Sequence, residues 1–384
     1  MKNCERKRGL NKMAREANPG EARAKPQDYV RLPTFLECGF GNLTNEVTAK
    51  RLCCLCGTCA AFCDKITITE DEAGKKKPRF AEDYDTVCGL CYTFCPRTFL
   101  PLAEIEWRIF GEVRAGEEGD VLGVYRRGFS ARATKADTRN EGQDGGVVTS
   151  LLAYALDEGI IDCSVITTAD EQWRPMTKLA RTYEDLKAGA GTKYTLHPSV
   201  TGVRDAIEDG CEKIGFVGLP CQMQGLRKVQ TAEQPYDVGV NKVKLSIGLF
   251  CMENFTEALL DFVERKCASG SLKGVSKFNI KGKELLITEE ETFGIPLEDI
   301  ERYIGEGCLV CMDYTAELAD ISVGSVGSED GWSTVFARTA QGEALVNAAA
   351  EKGYIELKEL EEKGLGALRE LAKRKKESGM LRRV

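Results

Sequence analysis

The sequence contains a single histidine, His197, among 384 residues. It also lacks an apolar run near the roughly 20 residues that a membrane-spanning helix needs, so we expect no direct membrane span. Its polar N-terminus is broken by Pro19, Gly20 and Pro26 and has no apolar segment of the kind found in secretion signals. With a formal charge of −7, the chain lacks the basic excess typical of nucleic-acid-binding proteins. We therefore expect a cytoplasmic protein without a nucleic-acid partner.

Cysteine, by contrast, is abundant: the chain has 17, and most lie in short runs. Thiols two residues apart are poorly placed for disulfides but well placed to converge on one metal centre. The run Cys53-x2-Cys56-x2-Cys59-x3-Cys63 has the spacing of bacterial ferredoxins, in which the fourth cysteine binds the neighbouring 4Fe-4S cluster. Zinc is the alternative, but zinc sites usually join two separated pairs of cysteines. We therefore predict an iron–sulfur module.

A second run, Cys88-x2-Cys91-x3-Cys95-Pro96, repeats this spacing without its first cysteine, and Asp85 stands at that position. Ligation crosses between the two runs in such ferredoxins. This crossed ligation predicts a first cluster held by Cys53, Cys56, Cys59 and Cys95. It predicts a second centre held by Cys63, Cys88, Cys91 and a fourth group.

Three alternatives are open for the fourth ligand of the second centre. Asp85 binds the iron, a remote thiol such as Cys38 or Cys54 replaces it, or the centre is a 3Fe-4S cluster. A carboxylate is a harder ligand than a thiolate and holds that iron less tightly. Cys54 is otherwise an extra thiol, packed or solvent-facing beside the first cluster. The segment between the runs, ITITEDEAGKKKPRF, predicts a short hairpin with a turn near Gly74.

Beyond residue 112 the pattern changes to alternating strands and helices, which indicates an α/β domain with parallel strands. A predicted strand at Phe129 is followed by a glycine-rich loop and by an amphipathic helix that stops at Gly159. A strand, a glycine-rich loop and a helix start can together hold a phosphate group, although a tight packing turn has the same pattern. The loop comprises Gly142, Gln143, Asp144, Gly145, Gly146, Val147, Val148 and Thr149.

Cys221 and Cys251 lie just past the carboxyl ends of two further predicted strands, where α/β folds place their chemistry. A lone pair, Cys308-x2-Cys311, follows later in the chain. Together these four thiols predict a third 4Fe-4S cluster. The alternatives are a redox-active pair at Cys308 and Cys311 or buried free thiols.

Several stretches together resemble the coenzyme F420 hydrogenase/dehydrogenase beta-subunit family: GQDGGVVTSLL, GTKY, FVGLPCQMQGLR, IGLFCMENF and CLVCMDYTAELADISVGSVG, closing with GWSTV. The resemblance covers about residues 36–345. It implies bound FAD, iron–sulfur clusters beside it, and hydride exchange with the deazaflavin coenzyme F420. It also implies that residues 142–149, Lys193 and Tyr194 line the flavin site and that the four thiols above hold the family's cluster.

The family serves hydrogenases, formate dehydrogenases, F420H2 dehydrogenases, sulfite reductases and heterodisulfide reductases, and nothing in the sequence selects among them. Because a deazaflavin moves hydride and clusters move single electrons, a flavin is expected between them. The resemblance thus implies a subunit that exchanges hydride between coenzyme F420 and FAD. It would pass electrons through two or three 4Fe-4S clusters to or from partner redox subunits. The alternatives are a ferredoxin subunit without a substrate of its own, or an FAD/iron–sulfur reductase of another organic substrate.

Four segments are expected along the chain. They are a disordered or docking tail (1–35), a two-cluster ferredoxin module (36–112), an FAD- and F420-binding α/β domain with a further cluster (113–345), and a helical extension (346–384). The extension is expected to be a docking or surface element rather than part of the active site.

No catalytic side chain is certain, because hydride transfer to a flavin needs little acid–base help; Lys193 is one candidate. His197 is expected to be structural, with a place near the flavin as the alternative. Arg204, Arg227 and Lys228 are candidates for binding the anionic tail of the coenzyme or the FAD phosphates. The alternative is that these three residues lie on solvated helix faces and bind no ligand.

Overall fold

The computed structural model describes residues 38–72, 74–81, 88–114, 121–233 and 237–382. Asp85 and the predicted N-terminal tail lie outside the described residues. Within them, no helix is both long and apolar enough to cross a membrane.

The strands, in chain order, are β1 Ile66–Glu70, β2 Lys76–Phe80, β3 Arg127–Ala133, β4 Cys163–Ala169, β5 Pro175–Ala180, β6 Ile214–Gly218, β7 Val243–Leu249, β8 Lys277–Lys281, β9 Glu284–Thr288, β10 Thr292–Pro296, β11 Ile321–Gly324, β12 Ser333–Ala337 and β13 Ile355–Glu359. The α-helices are α1 Phe40–Leu43, α2 Thr58–Ala61, α3 Leu90–Phe94, α4 Leu102–Phe110, α5 Ala136–Glu141, α6 Val147–Asp157, α7 Tyr183–Ala188, α8 Thr201–Glu208, α9 Pro220–Thr231, α10 Ala258–Glu264, α11 Leu297–Ile300, α12 Ala340–Glu351 and α13 Glu362–Leu381.

The two cysteine runs adopt the same local structure. In each, a glycine with positive φ follows a cysteine and begins a one-turn helix: Gly57 (φ 90°) precedes α2 and Gly89 (φ 73°) precedes α3. Glycine is favoured there because a side chain would strain the left-handed backbone. Between the runs, β1 and β2 form the predicted antiparallel hairpin, with Gly74 in its turn at φ 74°. The hairpin prediction is confirmed.

An eight-stranded mixed sheet forms the larger part of the molecule, in the order β13-β3-β12-β11-β7-β6-β4-β5. The four central strands β11, β7, β6 and β4 are parallel to their neighbours within that group. The flanking strands β5, β12, β3 and β13 pair antiparallel. The parallel α/β prediction therefore holds for the centre of the sheet and not for its margins.

A separate three-stranded antiparallel sheet, β10-β9-β8, was not predicted from the sequence. Its buried face has its own small core, in which Phe278, Leu285 and Ile287 pack with α10 residues such as Val263. We call residues 277–296 the accessory sheet.

The C-terminal part of the chain differs from its helical prediction. Residues Ile355–Glu359 form β13, which pairs with β3 at the margin of the main sheet. The prediction of a helix there is wrong, because alternating burial against β3 favours a strand in that segment. The main sheet thus includes chain beyond residue 345, the expected limit of the α/β domain. The predicted helix that follows is confirmed as α13.

Candidate functional site

A large cavity of about 1810 Å³ lies at the carboxyl ends of the parallel strands. Its walls include the last residues of three of these strands, Gly218 of β6, Leu249 of β7 and Gly324 of β11. The accessory sheet and α13 close other sides of it. Parallel α/β sheets place ligands at this edge because the loops after successive strands meet there.

The predicted glycine-rich loop borders this cavity. Its residues there are Gly142, Gln143, Asp144, Gly146, Val147, Val148 and Thr149. Gly146, with φ 68°, is the residue before α6, and no side chain caps the first turn of that helix. Uncapped backbone N–H groups at a helix start favour an anionic ligand.

Gly145 is the member of the loop that does not border the cavity. It packs against the main sheet, where a Cβ would lie 2.7 Å from the Ala131 carbonyl oxygen and 3.0 Å from the Ser333 nitrogen. Its carbonyl also accepts a hydrogen bond from the Ala133 N–H at 2.7 Å. Glycine at this position therefore serves loop-to-sheet packing, and a substitution here would not test ligand binding alone.

Gln143 joins three segments of the cavity wall. Its side-chain oxygen accepts a hydrogen bond from the Thr192 N–H at 3.0 Å, and its amide donates to Asn279 Oδ1 at 2.8 Å. Lys277 of the accessory sheet donates to the carbonyls of Gly142 and Gln143 at 3.0 and 2.9 Å. The glycine-rich loop, the 191–194 segment and β8 are thus held in one arrangement.

Lys193 and Tyr194 both border the cavity, as expected. The Lys193 ammonium donates to three carbonyls of its own turn, those of residues 189, 190 and 191, at 2.7–3.1 Å. Burial lowers the pKa of Lys193 to about 8 and raises the pKa of Tyr194 to about 12. The Tyr194 hydroxyl accepts from the Ile280 N–H at 3.2 Å. Both side chains therefore shape the wall between the 191–194 segment and β8.

His197 also borders the cavity. Its Nε2 is 2.8 Å from Thr177 Oγ1, whereas its buried Nδ1 has no hydrogen-bond partner. Burial, with a smaller effect of the Lys76 charge, lowers the pKa of His197 to about 4. The ring is therefore neutral at physiological pH, with one nitrogen that the described residues leave unpaired.

Three of the four thiols of the predicted third set, Cys251, Cys308 and Cys311, border the same cavity. Burial raises the pKa of Cys251 to about 11 and of Cys308 to about 12. Burial also raises the pKa of Cys311. The positive charges of Lys375 and Arg97 oppose this effect, and the pKa of that thiol lies below its ordinary value. The fourth thiol, Cys221, lies in the first turn of α9 and interacts electrostatically with Cys311.

Helix α13 contributes directly to this thiol group. The buried Lys375 ammonium donates to the Cys251 carbonyl, and Gly379 packs on Cys311, where a Cβ would lie 2.8 Å from the carbonyl oxygen. Arg374 and Arg382 of the same region also border the cavity. The prediction that this extension is a surface element outside the site is therefore wrong. The charged, amphipathic sequence of α13 predicts a helix, but it does not show which residues of the protein the buried face of that helix contacts.

The thiols of the first predicted set border a second, much smaller cavity. Its walls include all four thiols assigned to that cluster by crossed ligation: Cys53, Cys56, Cys59 and Cys95. Of the second set, Cys63, Cys88 and Cys91 interact electrostatically with one another. Asp85, the proposed fourth member, lies outside the described residues.

Among the described residues, no three thiols of the predicted sets lie within 4.8 Å of one another. Zn–S bonds of about 2.3 Å in a tetrahedron place the sulfurs about 3.8 Å apart. Among the described residues, the one trio of potential ligands within 4.8 Å of one another is Asp162, Cys163 and Cys211, which belongs to none of the predicted sets. A 4Fe-4S cluster binds each thiolate through a different iron and so suits a more open arrangement.

Cys54 is buried and packed rather than solvent-facing. Its thiol interacts with the thiols of Cys56 and Cys221, which together lower its pKa. Those two cysteines belong to the first and third predicted sets, so Cys54 lies where these two sets approach each other. Neither contact is with the second set, for which Cys54 was one alternative ligand.

The three basic residues expected to meet an anion lie elsewhere, and none borders the large cavity. Arg227 is buried and pairs with Asp320 at 3.0 Å. Lys228 is buried and donates to the carbonyls of Cys95 and Phe99 at 2.6 and 2.8 Å, and Arg204 donates to the Ala60 carbonyl at 2.8 Å. Both the anion-binding interpretation and the solvated-face alternative are wrong for Arg227 and Lys228. The structure gives all three residues roles in packing and domain contact.

Comparison with known proteins agrees with this geometry. Residues 128–203 match the model of the coenzyme F420 hydrogenase/dehydrogenase beta subunit N-terminal region, and residues 211–363 match that of its C terminus. The chain therefore belongs to this family of beta subunits.

Relatives and a solved structure cover most of the chain. It is 45% identical to the coenzyme F420 hydrogenase subunit beta of Methanothermobacter thermautotrophicus, over 67% of this chain and 93% of that protein. It is 35% identical to the coenzyme F420-dependent sulfite reductase of Methanocaldococcus jannaschii, over 83% of this chain and 49% of that protein. A chain from a xenon-derivatised structure of the F420-reducing [NiFe] hydrogenase complex of Methanosarcina barkeri superposes with a TM-score of 0.65 at 39% identity, covering 69% of this chain and 93% of that chain.

Proposed function

We propose that this protein exchanges a hydride between coenzyme F420 and FAD and passes single electrons through iron–sulfur clusters to or from partner redox subunits. The observation that carries the proposal is one cavity bordered both by the glycine-rich loop and by Cys251, Cys308 and Cys311. A hydride-exchanging cofactor and an electron-accepting cluster would therefore be neighbours.

The FAD would lie with its phosphates at the start of α6. The residues there are small or present backbone N–H groups, and Gly146 allows the left-handed turn that exposes them. The expected residues Lys193 and Tyr194 would hold the cavity wall between the 191–194 segment and β8. When bound, FAD would supply the exchange between two-electron and one-electron chemistry.

The cavity has room for a second ligand. A single small-molecule site typically occupies about 300–1,000 Å³, and this cavity is larger at about 1810 Å³. Three arginines, Arg302, Arg374 and Arg382, are exposed where they border it. Arginine suits anionic groups because its planar fork can donate two hydrogen bonds. We assign these residues to the anionic tail of the deazaflavin, in place of Arg204, Arg227 and Lys228.

The cluster ligands would be those named from the sequence, with Asp85 or another group completing the second centre. Three thiols of the third set border the cavity, and the first set approaches the fourth, Cys221, through Cys54. The second set lies beside the first, because Cys91 interacts electrostatically with Cys59. The order of the sets in space thus supports a path from the cavity through the module to a partner. The relatives include a hydrogenase subunit and a sulfite reductase, so the partner belongs to a redox complex of that kind.

Anaerobic rapid-mixing spectroscopy of the purified chain with F420H2 tests the proposal. We expect flavin absorbance to bleach first and cluster absorbance to fall afterwards, with F420 formed in proportion. A preparation with clusters but no flavin would favour the ferredoxin alternative. A preparation with flavin that F420H2 does not reduce would favour another organic substrate. Either result would overturn the proposed function.

A further inference from the structure

Arg97 contacts ligands of two different predicted clusters. Its backbone N–H donates to Cys95 Sγ of the first set at 3.4 Å. Its guanidinium interacts electrostatically with the Cys311 thiol of the third set. The same guanidinium donates from Nη2 to the Gly307 carbonyl at 3.1 Å, next to Cys308. One residue thus joins the ferredoxin module to the cluster loop of the α/β domain.

The surroundings of Arg97 are dry and rich in sulfur. The side chain is buried, and the nearby thiols that act on its charge are Cys54, Cys311 and Cys221. No carboxylate is among the groups hydrogen-bonded to its side chain in the described residues. A buried guanidinium whose partners are thiols and a carbonyl is costly unless negative charge accumulates on those sulfurs.

One nitrogen of Arg97 is left without a partner. The Nε–H is buried and has no hydrogen-bond acceptor among the described residues. An unpaired buried donor is destabilising, typically by about 1–3 kcal/mol. A cluster held by the adjacent thiols would bring further sulfur atoms that can accept such a hydrogen bond.

We propose that Arg97 sets the reduction potentials of the first and third clusters together and so keeps electron transfer between them close to balanced. This inference rests on the clusters of the proposed function. A buried positive charge favours the reduced, more negative form of each cluster, and hydrogen bonds to ligand sulfurs act in the same direction. Arg97 is therefore a positioning and tuning residue, distinct from the ligands themselves.

The test is an anaerobic redox titration of the holoprotein followed by electron paramagnetic resonance. We expect Arg97→Gln, which keeps an N–H donor but loses the charge, to lower the potentials of the first and third clusters. Arg97→Lys, which keeps the charge, should remain closer to wild type. The second cluster is the internal control, because the thiols that act on the Arg97 charge belong to the other sets or to Cys54. Its potential should be unchanged.

Arg204→Gln is the matched control. Arg204 also donates a guanidinium hydrogen bond to a carbonyl of the ferredoxin module, that of Ala60, and it contacts no cluster thiol among its described hydrogen bonds. Equal potentials in Arg97→Gln and wild type would overturn the inference and leave the proposed function standing. A loss of iron in Arg97→Gln and Arg97→Lys alike would also overturn it, since Arg97 would then hold the loops together instead. Absence of clusters from the wild-type protein would overturn both.

Discussion

Gly307 lies directly against the backbone of Cys53. A Cβ at Gly307 would stand 2.6 Å from the Cys53 carbonyl carbon and 2.7 Å from the Cys54 nitrogen. The loop that carries Cys308 and the first ferredoxin run are therefore in van der Waals contact, and the absence of a side chain at residue 307 permits this approach.

Gly307→Ala should weaken the packing of the first cysteine run, in the predicted ferredoxin module, against the Cys308 loop. The added methyl group meets backbone rather than a movable side chain, so relaxation requires the two loops to separate. Overpacking of this kind costs about 1–3 kcal/mol, and the midpoint of thermal unfolding should fall. Gly366→Ala is the control, because a Cβ there meets nothing within 4 Å. Equal midpoints for Gly307→Ala and wild type would show that the loops do not touch.

Cys308→Ser should remove one cluster. Three 4Fe-4S clusters correspond to about twelve irons per chain, and the variant should retain about eight after anaerobic purification. Iron and acid-labile sulfide analysis measures this directly. Cys267→Ser changes a buried thiol in the core beside the accessory sheet and should leave the iron content unchanged. If the Cys308→Ser variant has the same iron content per chain as the wild-type protein, the third cluster is removed from the proposal.

Asp85→Ala tests the open ligand of the second centre. If the carboxylate binds iron, that iron should be lost more readily than a thiolate-bound one. The variant should then hold a permanent 3Fe-4S centre, visible by electron paramagnetic resonance, while F420H2 still reduces the flavin. Asp85→Cys should abolish the 3Fe-4S signal. Identical iron content and spectra in Asp85→Ala and wild type would instead point to a remote ligand, with Cys38 the first thiol to replace.

The double substitution Arg374→Glu and Arg382→Glu should raise the KM for F420H2 about tenfold or more, because each lost charge-assisted hydrogen bond is worth about 1.5–3 kcal/mol. Flavin content and cluster spectra should not change. Lys373→Glu is the control: it lies on the same helix, is exposed and does not border the cavity. A KM that responds equally to all of these substitutions would indicate a general charge effect instead of a binding site.

His197 gives the protein an acid-sensitive stability. Its pKa is about 4 in the folded protein and near 6.5 in an unfolded chain, so the unfolded chain binds the proton first as the pH falls. Stability is therefore lost as the pH falls from about 6.5 toward 4, by about 2 kcal/mol between pH 7 and 5. His197→Gln should show a smaller loss than wild type in unfolding measured at both pH values. Parallel pH profiles for the two proteins would contradict the assigned pKa.

The elements with a strong local signal were predictable from the sequence. Cysteine spacing depends on a few adjacent residues, so the membership of the first set followed from the runs alone, and its four thiols do border one cavity. The β1–β2 hairpin and helix α6 were likewise marked by Gly74 and Gly159. The central parallel strands followed from their alternation with helices.

Features that depend on distant contacts were not predictable. Arg97 resembles any surface arginine until the fold places it between Cys95 and Cys311. Helix α13 has a charged sequence, yet Lys375 is buried because its ammonium reaches the Cys251 carbonyl. The accessory sheet has three strands of five residues each, so their alternation of apolar and other residues extends over too few positions to predict a sheet.

The accessory sheet has a consequence for how members of this family could diverge. It has its own core, and Lys281, at the end of β8, and Lys283, in the turn after it, border the large cavity. None of its residues borders the small cavity of the first predicted thiol set. A chimera that exchanges residues 277–296 alone would alter the lining met by an incoming organic molecule while the sulfur ligands stay in place. Under the proposed function, new substrate preference could thus be acquired by exchanging this one small sheet, without rebuilding the proposed route by which electrons leave.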